Sequence, residues 1–221
     1  MRVLSVYAHE DARSLTAALR NTAEQVLVRA GHQVVTSDLY GLGFQPVAQK
    51  WDFSTLSGGH YNYMFEQQVA SRAGGKFAPD ILAEINKLHE SDMVLFHFPL
   101  WWGGPPAILK GWFDRILAMG FAWDGEHIFE NGKLRGKRAF CVVTTGEPAS
   151  YYQSEGVQKN NVRSILQPVL HGTLAFCGFD VIEPHIVHGV TSMQAEQAQA
   201  EIDQFASRMS HVISNPEFYK L

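Results

Sequence analysis

The chain has 221 residues, 46% of them hydrophobic and 18% charged, with a formal net charge of -4. That composition is globular, neither disordered nor fibrous, and the length suits one well-filled core, read as a single domain over 1–221. The negative balance offers no basic field for a phosphate backbone, so nucleic acid is not an expected partner. Residues 3–7 read as a buried strand, preceded only by Met1 and Arg2 and closed by His9, Glu10 and Asp11. This apolar run is too short and too soon acidic for a signal peptide, and no stretch approaches the ~20 apolar residues of an integral membrane segment. Ser14 is placed to cap a helix that runs to about residue 30 and stops at Gly31. Residues 33–37 form a second strand. Residues 41–75 show no clean period and read as a long excursion, a length that usually carries function. A helix is expected over 80–89, a third strand over 92–98, and a helix over 107–119 with Pro105-Pro106 ahead of it. Residues 138–144 give a fourth strand, 161–176 a helix, 181–187 a fifth strand, and 193–213 the last helix.

Strands thus alternate with helices, a pattern that predicts a parallel sheet covered on both faces. Ligands of such sheets bind beyond the carboxyl ends of the strands, where strand order reverses. Three loops occupy those ends. The first, residues 9–14, leads into Ser14-Leu15-Thr16 at a helix start. Free N–H groups, hydroxyls and His9 could hold a phosphate there, or Ser14 could be a plain cap. No GxGxxG and no GxxxxGK[ST] accompanies it. The second loop, Phe98-Pro99-Leu100-Trp101-Trp102-Gly103-Gly104-Pro105-Pro106, combines aromatic surface with open backbone and suits a flat ring. The third, Thr144-Thr145-Gly146-Glu147-Pro148-Ala149-Ser150-Tyr151-Tyr152, offers hydroxyls and backbone to a heterocycle, and a phenol to developing negative charge. The second and fifth strands end in Asp38-Leu39-Tyr40 and His188-Gly189, which are less suggestive.

Competing chemistries find little support. No G-x-S-x-G elbow occurs. His185 and His188 stand three apart on a predicted strand, so they face opposite sides and share no metal. No HExxH or paired-cysteine spacing is present, so no metal site is expected. Cys141 and Cys177 sit in apolar runs and read as reduced core thiols of a cytoplasmic protein.

The second loop, continued through Ala107-Ile108-Leu109-Lys110-Gly111-Trp112-Phe113-Asp114-Arg115, resembles the NAD(P)H:quinone oxidoreductases, or DT-diaphorases. So do Ser37-Asp38-Leu39-Tyr40, Phe121-Ala122, Thr144-Thr145-Gly146 and Phe176-Cys177-Gly178-Phe179. The resemblance implies a flavodoxin-like three-layer sandwich with a five-stranded parallel sheet, and a homodimer with a flavin at each of two sites between subunits. It also implies a hydride passed in two ping-pong steps from NAD(P)H through the flavin to a quinone-like acceptor. By the same resemblance His9, Ser14, Leu15 and Thr16 take the phosphate side, and Pro99, Leu100, Trp102 and Gly103 line the isoalloxazine. Thr144, Thr145, Gly146 and Glu147 take its other edge, with Tyr152 and Gly146 at the catalytic positions. Trp123 and Phe176 wall the substrate site from the partner subunit, where Trp102, Tyr151 and Gln158 also reach substrate. Asp114 meets the far end of the cofactor.

Several positions depart from that pattern. Gln158 stands where the family's animal enzymes carry a proton-relay histidine, and it cannot titrate. Glu147 replaces a glycine beside the ring. The basic residue that helps hold the adenine end has no match in Gln197-Ala198-Gln199, so the expected cofactor is FAD with FMN as the alternative. Two other roles follow from the same resemblance: reduction of azo dyes or nitroaromatics, and regulation of a potassium-efflux system as a membrane transporter's partner.

Overall fold

Five parallel strands make one sheet in a computed structural model that describes residues 1–220. In chain order the elements are β1 (Arg2–Tyr7), α1 (Leu15–Arg29), β2 (Gln33–Asp38), α2 (Tyr63–Arg72), α3 (Pro79–Glu90), β3 (Met93–Pro99) and α4 (Ala107–Ile116). They continue with β4 (Arg138–Thr144), α5 (Val162–Ile165), α6 (Gln167–Val169), a π-helical turn (Leu170–Ala175), β5 (Asp180–Val187) and α7 (Ala195–Ser214). The strand order β2-β1-β3-β4-β5 reverses direction at β1 and β3, which is the crevice predicted to hold ligand.

Side-chain alternation divides the core into two layers. Val3 of β1, Met93 and Leu95 of β3, and Phe140 and Val142 of β4 pack with Leu19, Ala23 and Leu27 of α1 and with Phe205, Met209 and Val212 of α7. The intervening residues Leu4, Val6, Val94, Phe96, Ala139 and Cys141 pack with α3, α4 and the π-helical turn. Both faces of β3 are therefore filled, and every residue of that strand is buried, which is why it reads as a continuous apolar run.

All five expected strands are present with boundaries within a residue or so, and α1, α3 and α7 fall where expected. Three differences stand out. The 41–75 region is not an irregular excursion, since it contains α2, capped by Asn62 accepting from the Phe65 N–H at 3.0 Å. That helix docks through polar side chains, so it carries little apolar period. Glu66 is buried and accepts from the N–H and hydroxyl of Ser57, and Gln67 donates to the Asp114 carbonyl and accepts from the Met119 N–H. The helix expected over 161–176 is broken into α5, α6 and the π-helical turn. Pro168 lacks the N–H that would continue the ladder, and the Phe176 N–H donates to His171 O, a wider π-type step. Finally, α4 ends at Ile116 rather than near 119, because the chain turns at Gly120 with φ +90.

Candidate active site

The ends of β1, β3 and β4 are tied to one another before any side chain reaches into the crevice. The Ala8 N–H donates to His97 O at 2.9 Å, the Leu100 N–H to Thr144 O at 2.8 Å, and the Thr145 N–H to Val187 O at 2.9 Å. The buried hydroxyls of Thr16 and Thr144 share a hydrogen bond of 2.8 Å, which pins the start of α1 to the end of β4. The first and third loops therefore share one buried anchor, although 128 residues separate its two partners.

At the start of α1 the Ser14 hydroxyl accepts from the Ala17 N–H at 3.2 Å, so it is a true cap. The two readings of Ser14 do not exclude each other, because Leu15 and Thr16 still lie in the first turn. His9 Nδ1 accepts from the Asp11 N–H at 3.0 Å. Its ring proton is consequently on Nε2, which leaves a donor for an anion. The Asp11 carboxylate holds Arg13 and is pushed down to about 2 by that bonding. It stays ionised at neutral pH, engaged with arginine.

The second loop is a tight turn. Trp101 and Gly104 exchange both backbone hydrogen bonds, at 2.9 and 3.0 Å, and Trp102 and Gly103 between them have φ +50 and +77. Two successive positive φ values suit Gly103 and strain Trp102, and such strain gathers at functional sites. The Trp102 side chain is wholly exposed and stands clear of its own chain. Pro99 is buried and Leu100 packs on the core. Within one copy, then, Pro99 and Leu100 pack inward while Trp102 projects outward from the turn.

The third loop folds back on itself through a 3-10 turn, Ala149–Tyr152. The Thr145 hydroxyl donates to Glu147 O at 2.8 Å and lies 3.0 Å from His188 Nδ1. Tyr152 lies against the core, with its ring 5.6 Å from that of His188 and 5.2 Å from that of Tyr151. Burial raises the Tyr152 phenol above its ordinary value, so it is a protonated donor at neutral pH. Gly156 lets the loop close, because a Cβ there would lie 2.2 Å from Ser150 O. Gln158 is exposed and anchors only by its N–H, to Tyr151 O at 2.9 Å. Gly146 has its carbonyl taken by the Thr191 hydroxyl at 2.7 Å.

Apart from Trp102, Gly103, Tyr151 and Gln158, which lie on the second and third loops, the expected site residues fall into two sets. His9, Ser14, Leu15, Thr16, Pro99, Leu100, Thr144, Thr145, Gly146, Glu147 and Tyr152 gather at the strand ends. Asp114, Trp123 and Phe176 line a different recess of about 230 Å³, together with Met64, Lys110 and Cys177. There the Trp123 and Phe176 rings meet edge-on at 5.4 Å, and the Trp123 indole donates to Leu117 O. Asp114 is exposed and paired with Lys110 at 2.7 Å. None of the strand-end residues lines that recess. Sequence reasoning passed over His188. The signal available for it was its place directly after β5, at the same end of the sheet as the three chosen loops. As expected from their spacing, His185 and His188 do not meet. His185 stacks on Phe205 of α7, at 4.7 Å, while His188 faces Thr145. Among the described residues no group of three or more His, Cys, Asp or Glu is arranged to hold a metal.

The profile of a family described as having a flavodoxin-like fold matches residues 1–213. Ribosyldihydronicotinamide dehydrogenase [quinone] of Pongo abelii is 40% identical over 215 residues, covering 96% of this chain and 91% of that one. NAD(P)H dehydrogenase [quinone] 1 of Rattus norvegicus is 34% identical over 220 residues, covering 99% and 80%. A Klebsiella pneumoniae protein solved as a candidate quinone reductase superposes with a TM-score of 0.92 at 36% identity, covering 99% and 86%. By sequence along almost its whole length and by fold, the chain belongs to the flavodoxin-like NAD(P)H:quinone oxidoreductase family.

Proposed function

We propose that this protein is a flavin-dependent NAD(P)H:quinone oxidoreductase that works as a homodimer. The observation that supports it most is the bond between the buried Thr16 and Thr144 hydroxyls, which fixes the start of α1 beside the loop that carries Thr145 and Tyr152. The residues fit a flavin. An α-helix start flanked by His9 Nε2–H suits a phosphate, a proline-stiffened floor at Pro99 and Leu100 suits a flat ring, and a phenol donor suits its polar edge. When bound, the flavin supplies a ring that takes a hydride from NAD(P)H and passes it to the acceptor.

The protein's own part is to bind, orient and stabilise. The α1 N-terminus, with Ser14 and Thr16, offsets phosphate charge. Tyr152 remains protonated and donates toward negative charge that builds up as hydride arrives, an interaction stronger in the transition state than before it. The exposed Trp102, and the separate recess of Asp114, Trp123 and Phe176, make sense if a second copy supplies the far wall of each site. We propose FAD as the cofactor, with Asp114 toward its far end. A general stress protein of Treponema denticola, of the same fold at 19% identity with a TM-score of 0.65, was solved with FMN. Both cysteines are free, buried thiols, raised to about 12 by burial, which suits a reducing, cytoplasmic setting. Among the described residues no helix is long and apolar enough to cross a membrane.

The experiment is to purify the protein, release its cofactor and identify it by mass, then follow NADPH-driven reduction of a soluble quinone. Yellow protein that yields FAD and reduces the quinone is the expected result. FMN alone would correct only the cofactor. A colourless protein that stays inactive after incubation with either flavin would overturn the reading.

A further inference from the structure

Strand β5 stands at one edge of the sheet, since the strand order ends with it. An edge presents unpaired backbone groups, and the segment after α7 covers part of this one. Asn215 still donates to His211 O, and Pro216 then ends the helix. Beyond it the chain runs antiparallel beside β5. The Glu183 N–H donates to Glu217 O and the Tyr219 N–H to Val181 O, both at 2.8 Å, around a bridge between Ile182 and Phe218.

Arg163 of α5 holds the same segment. Its Nε donates to the Glu183 carboxylate at 2.7 Å, its Nη2 donates to Lys220 O, and its guanidinium lies over the Tyr219 ring, 4.3 Å from the centroid. The Arg163 and Glu183 side chains are 39% and 31% exposed, so as a bare ion pair they would contribute little. A planar guanidinium that bonds and stacks at once is fixed in one geometry. Here it joins three segments that are distant in sequence: α5, β5 and residues 219–220.

What it holds is α5, a helix of four residues. One turn does not stabilise itself, so tertiary contacts set its place. They come from Val162 and Leu166, buried in the core, and from Arg163. Two parts of the candidate active site depend on that place. The third loop runs into the α5 cap, Asn161, whose side chain accepts from the Ser164 N–H at 2.8 Å. Helix α5 therefore anchors the far end of the loop, as β4 anchors its near end. Ile165 lies against the second loop, where a Cβ on Gly103 would stand 3.7 Å from Ile165 Cγ2.

Resting on the function proposed above, we propose that Arg163 is a positioning residue for hydride transfer. With residues 217–220 it forms a latch that holds α5, and through α5 the loop that carries Tyr152 and the turn that carries Trp102. It acts through that helix and not at the reacting atoms.

Two measurements test this in the full chain, in Arg163→Ala, Tyr219→Ala and the double variant. The first is hydrogen exchange of the backbone amides. Each single variant should speed exchange over residues 149–166 by at least about tenfold and leave β1, α1 and β2 unchanged. The double variant should exceed the faster single one by no more than about threefold, because both changes open one latch. The second is stopped-flow reduction by NADPH, counted per bound flavin. A displaced Tyr152 weakens the transition state more than it weakens binding. Each single variant should therefore lower the limiting rate at least about threefold, with the half-saturating NADPH concentration within about twofold of wild type. A general loss of stability reduces the amount of folded protein and leaves the limiting rate per bound flavin alone, so it does not mimic this split. A wild-type limiting rate in Arg163→Ala would overturn the inference. So would exchange that rises in β5 and residues 215–220 but not over 149–166, or single effects that multiply in the double variant as independent losses. A protein that binds no flavin loses the function proposed above, and the exchange measurement then still decides whether the latch holds the third loop.

Discussion

Lowering the pH tests the buried layer beneath the site through His97. This residue lies on β3, its ring wholly buried and both ring nitrogens without a partner. Burial, then the charge of Arg20 and then of His185, pushes it down to about 3. His185, buried between β5 and α7, is pushed down to about 4 by burial and by Arg208. Both values lie below the ~6.5 of an unfolded histidine. The unfolded chain therefore binds more protons than the native one wherever pH is below ~6.5, and stability falls as pH drops. Integrating that difference at pH 5 costs about 2 kcal/mol for His97 and about 2 kcal/mol for His185, relative to mildly alkaline pH. At pH 4 the cost rises to about 3 kcal/mol each, a large share of the ~5–15 kcal/mol that stabilises a domain. His97→Leu removes one of these protons and also a buried ring with no hydrogen bonds. The variant should lose about 2 kcal/mol less than wild type between pH 8 and pH 5. Urea unfolding at both pH values, at one protein concentration so that any assembly contributes equally, measures this double difference. If His97→Leu and wild type lose the same stability within about 0.5 kcal/mol, His97 is not held neutral in the native state and the reasoning fails.

Three further outcomes are expected. Tyr152→Phe should slow flavin reduction by at least about tenfold, or ~1.4 kcal/mol of barrier, while Gln158→Ala should change it little; stopped-flow absorbance reads both, and a crippled Gln158→Ala beside a normal Tyr152→Phe would reverse the assignment. Arg115→Ala should destabilise by about 3–5 kcal/mol in urea, because it leaves the buried Asp52 carboxylate, held by Arg115 at 2.9 Å, without a cation and with only the Tyr63 hydroxyl and the Gln49 N–H as donors; a loss below about 1 kcal/mol would mean that water replaces the guanidinium. Gly156→Ala should disturb the 3-10 turn bearing Tyr152, since its Cβ would meet Ser150 O at 2.2 Å; unchanged reduction kinetics in that variant would show that the loop is free to move without cost.

The sequence alone determined the layered architecture, and the reason is periodicity. The nearly unbroken apolar runs of β1 and β3 are written residue by residue, and burial on both faces of a parallel sheet demands such runs. The same holds for the cap at Ser14, a local bond between neighbours, and for the location of the crevice, which follows from strand order once the fold is known. Where the stabilising contacts are polar or distant, the sequence was silent. Helix α2 is held by Glu66 and Gln67 bonding to remote backbone, so no apolar stripe announces it. The helix expected over 161–176 passed over Pro168, and the form of the break there depends on neighbouring packing. Thr16 and Thr144 looked like separate loop hydroxyls until the sheet brought them to 2.8 Å. That Trp102 stands exposed on a left-handed turn was not visible either, because the turn's direction is set by the Trp101–Gly104 backbone pair. His188 looked unremarkable at the end of β5, because its partners Thr145 and Tyr152 come from another strand, more than thirty residues back along the chain. A side chain's chemical role at this site depends on which hydroxyl it meets, and that meeting is decided only when the strands are laid side by side.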